Sequence, residues 1–133
     1  MSVALYIVLE RGDLDFDHHV AGKALGRAGR LLDVLAVKAG TAPLMKFFSA
    51  SPKEMHEFIA SHEVGSQEMA PPIPPERWFP AIDGLVTIRG LREAAKTEKI
   101  HNLEKILADL DEFERVLKAA EEQGVSWHLA VDY

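Results

Sequence analysis

Two segments at opposite ends of the chain carry strand patterns, and they limit the fold more than anything between them. Val3, Leu5, Ile7 and Leu9 fall on one side of an extended segment, with Ala4, Tyr6 and Val8 on the other. Both sides are apolar, so a strand there needs cover on both faces and belongs inside a sheet. Val125, Trp127, Leu129, Val131 and Tyr133 alternate with Ser126, His128, Ala130 and Asp132. That period of two predicts a strand with one dry face and one wetter face. The second strand is expected beside the first, and a third can form over Leu44 to Ser49.

Helical patterns fill the middle. Residues 18–39 follow Asp17, a good N-cap, and stop at Gly40, a residue suited to a helix end. Val20, Ala24, Leu25, Ala28, Leu31, Leu32, Leu35 and Ala39 make one apolar arc on that helix. Gly22, Gly26 and Gly29 border the arc. Each costs about 1 kcal/mol against Ala in a helix interior, so a neighbouring backbone is expected to come close there. Ser51-Pro52-Lys53-Glu54 has the form of a capping box with Pro at the first helical position, which predicts a helix to about His62. Asp83 is expected to cap a third helix that runs to about Lys96.

The fourth helix has the clearest signature. Asn102 can cap it, Gly124 ends it, and Leu103, Ile106, Leu110, Phe113, Leu117 and Ala120 keep an apolar stripe at steps of three and four. Such a stripe suits a core seam, and it could also serve a homodimer. The order of elements predicts an α+β fold for residues 1–133 as a single globular domain. It has two layers, a small sheet that includes the N- and C-terminal strands packed against about four helices. A doubly wound α/β sheet is less suited, because the last helix and strand need not continue a parallel repeat.

Composition excludes more than it assigns. A chain of 133 residues can bury about two-thirds of its unfolded surface without staples. It has no cysteine, which excludes disulfides, a thiolate nucleophile and thiolate-bound zinc or iron-sulfur centres. A reducing cytoplasmic location is therefore expected. The longest apolar run, Val3 to Leu9, is far short of the roughly 20 residues that cross a bilayer. No basic residue precedes it as in a secretion signal, so the chain is expected to be mature from its start and away from the membrane. A net charge of −6 argues against general nucleic-acid binding, which rewards a basic face.

The charge is uneven. Residues 18–50 hold Lys23, Arg27, Arg30, Lys38 and Lys46 against Asp33 alone, whereas residues 100–124 hold seven acids against three bases. Lys23, Arg27 and Arg30 share a helix face that could hold an anion, although Val34 and Val37 lie on the same side.

Chemical motifs are sparse. Asp13, Asp15, Asp17, His18 and His19 cluster after the first strand, where ligands gather in open sheets. The alternating acids match the start of a calcium loop, but His18 and Ala24 stand where that loop needs Gly and Glu. His56 and His62 are six apart, not the four that put two zinc ligands on one helix face. Glu114 is expected at the edge of its helix, with its carboxylate in water. His128 has no acid near enough in sequence to form a relay, and Asp132 is too far along the strand to touch it. Phosphate-binding glycine loops and the G-x-S-x-G nucleophile turn are absent. No catalytic residue, metal ligand or cofactor is assigned.

One segment invites a partner. Met69 to Pro80 holds five prolines, which predict extended chain lying against the domain. Within it stand Arg77, Trp78 and Phe79, residue types enriched at binding hot spots and framed here by rigid prolines. The expectation is a non-catalytic protein-binding or regulatory module, monomer or homodimer, with Arg77, Trp78 and Phe79 as the candidate partner contact. Neither nucleic acid nor membrane is expected as a partner. Two alternatives stand beside it. One is a small metal-dependent enzyme or ligand-binding protein using the Asp13–His19 cluster. The other is a structural homodimer formed through the helix near 103–123.

Overall fold

A computed structural model describes residues 4–50 and 76–132. The helix expected at 52–62, with His56 and His62, and the proline segment up to residue 75 lie outside the described residues.

The terminal strands pair as their patterns demand. β1 (Ala4–Leu9) and β2 (Trp127–Asp132) form an antiparallel ladder that sets Leu5 opposite Val131, Ile7 opposite Leu129 and Leu9 opposite Trp127. Leu5, Ile7, Leu9, Trp127 and Leu129 are buried on one face. The opposite face is less wet than alternation predicts, because His128 and Ala130 are also buried. Single bridges widen the sheet at both edges. Gly22 bonds Leu5 beside β1, while Phe48 and Phe79 bridge Leu129 and Trp127 beside β2.

Among the described residues, four helices complete the α+β fold: α1 (Lys23–Arg27), α2 (Gly29–Ala39), α3 (Ala81–Lys96) and α4 (Leu103–Glu122). One apolar core joins all of them to the sheet. The expected third strand is instead a 3₁₀ turn at Leu44–Phe47 that puts Leu44 and Phe47 in the core. Only the chain just beyond it meets β2, where the Ser49 N–H donates to the Leu129 carbonyl at 3.1 Å.

The single helix expected over 18–39 is overturned by tertiary contacts. Residues 18–22 are not helical, because Gly22 exchanges two backbone hydrogen bonds with Leu5 at 3.0 and 2.7 Å. A Cβ at Gly22 would sit 2.9 Å from the Leu5 carbonyl and 3.1 Å from the Phe113 ring, so here the expected backbone approach is present. Gly29 has open space instead and begins α2 after a break at Ala28. Asp17 caps no helix. Its Oδ1 accepts the His19 N–H at 3.0 Å, closing a local turn.

α3 starts at Ala81 after Pro80, two residues before the expected cap, and Asp83 lies in its first turn. α4 spans the expected residues, but Asn102 stands before it in the left-handed conformation, φ 61°, without a side-chain cap. Asn tolerates that conformation better than most residues, and here it turns the chain sharply between α3 and α4. The α4 stripe is buried at Ile106, Leu110, Phe113, Leu117 and Ala120 within the chain's own core.

A cationic groove as the candidate functional site

The break between α1 and α2 opens one wall of a groove, and the turn between α3 and α4 supplies the other. Lys23, Arg27 and Arg30 rim the first wall above Ala24, Ala28 and Leu31. Lys99, His101 and Lys105 rim the second above Ile100 and Ile106. The groove encloses about 810 Å³ and opens broadly to solvent. Among the described residues, none of these five Lys and Arg side chains forms an ion pair or a hydrogen bond. The lining thus carries five Lys and Arg against one acid, on a chain of net charge −6, a local excess of positive charge that favours an anionic ligand.

Asp109 is the acid among the groove's lining residues, and it is occupied. Its Oδ2 accepts the N–H groups of Ala24 at 2.9 Å and Leu25 at 3.3 Å. It thus caps α1 from α4, satisfying donors that a helix start leaves unpaired. The same contact fixes the two walls against each other.

Asp111 and Glu114, farther along α4, are neutralised elsewhere. Arg92 on α3 grips Glu114 with both terminal nitrogens at 2.7 and 2.9 Å, and Arg89 adds a bond at 2.9 Å. Arg92 also reaches Asp111 at 3.1 Å. Glu114 is not the water-facing edge residue expected from the helix pattern. Hydrogen bonds from Arg92 and then Arg89 pull its carboxyl down to about 2 from a usual 4.5, against the opposing effect of partial burial. The same pairing raises Arg92 above the ordinary guanidinium value, with the Glu114 bond as the main cause.

The Arg77, Trp78 and Phe79 contact is partly absorbed into the fold. Phe79 exchanges backbone hydrogen bonds with Trp127 at 2.8 and 2.9 Å, and its ring meets Phe47 edge-on at 5.3 Å. Trp78 is half-buried and covers the His128 ring at 4.8 Å. Arg77 is exposed, lies over the Phe79 ring at 5.4 Å and donates its backbone N–H to Ser49 Oγ at 2.7 Å.

His128 does find an acid, from a part of the chain its strand neighbours could not reveal. Its Nε2 lies 2.7 Å from Glu76 Oε2 and its Nδ1 lies 3.1 Å from the Leu129 carbonyl. Both ring nitrogens thus lie within hydrogen-bond distance of an oxygen. Among the described residues no hydrogen bond joins His128 to Ser49, so these two do not form a nucleophile and base pair.

The Asp13–His19 cluster is dispersed. Asp13 accepts from Arg11 at 3.2 Å, and that bond lowers its carboxyl below the usual range. Asp15 accepts from Gln123 at 2.9 Å, Asp17 turns back to His19, and the His18 ring lies edge-on to Phe16 at 6.2 Å. Among the described residues, no three His, Asp or Glu side chains gather closely enough to hold a metal ion.

Sequence reasoning found half of the groove. Lys23, Arg27 and Arg30 were legible at helical spacing, whereas Lys99, His101 and Lys105 were not. Their position depends on the left-handed turn at Asn102, and only the residue type hinted at it. Compared with known proteins, the chain matches no family model, no curated protein and no solved structure. No helix among the described residues is long and apolar enough to cross a membrane.

Proposed function

We propose that this protein is a non-catalytic binding module that receives an acidic part of a partner protein in the groove between α1–α2 and the start of α4. The observation that supports this reading is a groove lined by apolar residues and by five cations that have no partner among the described residues. Elsewhere on the chain, Arg89 and Arg92 are matched with acids. Cations without an internal partner retain their attraction for an external one, and such a field speeds encounter and selects the sign of the ligand. A cytoplasmic setting suits a chain whose stability involves no cysteine.

The test compares capture of a stoichiometric partner from the source cells by three forms of the protein. The wild type retains the partner, the double variant Arg27→Glu, Lys105→Glu loses it, and Trp78→Ala retains it. Loss with Trp78→Ala and retention by the double variant would transfer the role to the Arg77, Trp78 and Phe79 surface. That second reading is favoured by one observation, the exposure of Arg77 over the Phe79 ring.

A further inference from the structure

The groove differs from a basic patch, because exposed cations from two separate segments, 23–30 and 99–105, line it together with apolar side chains that are half-buried or buried. Each segment contributes exposed cations and less exposed small or branched apolar residues: Lys23, Arg27 and Arg30 with Ala24, Ala28 and Leu31, and Lys99 and Lys105 with Ile100 and Ile106. Alanines at 21, 24, 28 and 108 in the lining leave room for another backbone to come near. A ligand that fits must present one apolar stripe flanked on both sides by negative charge.

Three kinds of acidic ligand meet those conditions unequally. A small anion would use the rim and leave the apolar floor wet. An extended acidic peptide places successive side chains on opposite faces, so acids alternating with apolar residues would point away from the groove when the apolar residues point in. An amphipathic helix places acids along both borders of its apolar stripe, at positions three and four apart. From this match of pattern, resting on the proposed role of the groove, we infer that the partner segment is an acidic amphipathic α-helix.

The length agrees with a short helical segment. Lys23 and Arg30 are separated by seven residues of mostly helical chain, or about 10 Å at 1.5 Å per residue. Two turns of a docked helix cover that distance. Acids one and two turns apart on such a helix can reach Lys23, Arg27 and Arg30 together, while acids on its other border face Lys99 and Lys105. Asp109, whose carboxylate is already committed to Ala24 and Leu25, would repel an acid placed beside it.

Four synthetic peptides of about 14 residues, three of one composition, separate the outcomes when titrated by fluorescence anisotropy at about 0.15 M salt. The first places Glu on both borders of a Leu and Ala stripe. The second permutes the same residues so that no stripe remains, and the third keeps the first sequence but places a proline at its centre by exchange with a terminal proline carried by all three. The fourth is oligoglutamate of equal charge. The expected result is binding of the first at least tenfold tighter than each of the others, with at least tenfold loss in the Arg27→Glu, Lys105→Glu protein. Circular dichroism of the complex should show helix gained by the first peptide. Equal binding of all four, with sensitivity to the double variant, would overturn the helical partner and leave the groove as an acidic-ligand site. Partner capture that survives the double variant would overturn the groove itself. Capture lost in that variant while none of the four peptides binds would overturn the helical inference alone.

Discussion

The surroundings of α3 and those of α1 make opposite use of the same residue types. Around α3, volume is filled and charge is matched. Trp127 is fully buried, stacks on Phe47 at 5.0 Å and donates its indole N–H to the Pro80 carbonyl at 3.3 Å. Gly84 lies so close that an added Cβ would come within 2.7 Å of Trp127 Cε2, and Arg89 and Arg92 are tied to Glu114. Around α1, Lys23 and Arg27 face an open groove without partners among the described residues. The contrast separates arginines that hold helices together from arginines that remain available to another molecule.

The comparison predicts that changes near α3 act on stability and changes near α1 act on binding. Trp127→Ala should have the largest effect, about 3–5 kcal/mol of lost stability, since truncating a buried aromatic removes both apolar burial and packing. Denaturant unfolding measures it. Gly84→Ala should cost about 1–3 kcal/mol by overpacking the indole, and a wild-type midpoint would show that α3 and β2 are less rigidly packed than described.

Glu114→Gln should cost about 1–2 kcal/mol at neutral pH, as charge-assisted hydrogen bonds are weakened at a site still partly open to water. The sign with pH follows from the lowered carboxyl. A carboxyl held near 2 when folded and near its usual 4.5 when unfolded stabilises fully above the unfolded value. That contribution fades as pH falls toward 2. The stability curves of wild type and Glu114→Gln should therefore approach one another in acid, and a constant gap between them would contradict the proposed pairing. The smallest effect is expected from Arg27→Glu with Lys105→Glu, whose unfolding midpoint should change by no more than about 0.5 kcal/mol in free energy. A large loss there would mean that the groove cations support the fold.

The parts readable in advance were those whose determinants are local. Leu103 to Ala120 repeat at helical steps, and Leu5, Ile7 and Leu9 alternate with their neighbours, so α4 and β1 follow from residues that are close in sequence. The helical arc over 18–39 was equally regular, yet Gly22 bonds to β1 instead, because an exposed strand edge needed donors and acceptors. The pairing of His128 with Glu76, and of Glu114 with Arg89 and Arg92, joins elements whose approach no local period encodes. The groove stood between these cases. One rim has a helical spacing, while the other is created by the turn at Asn102.

The pairing of Leu5 with Val131 also has a consequence for how the molecule is made. During synthesis, β1 leaves the ribosome with its apolar face and backbone edge uncovered, and its ladder partner follows more than a hundred residues later. Such a contact has a high loop-closure cost and tends to form late. The helices can gather first, but the nascent chain must keep β1 from pairing with other strands until β2 emerges. Expression yield should therefore depend on the speed of elongation and on chaperone supply more strongly than the folded protein's stability suggests.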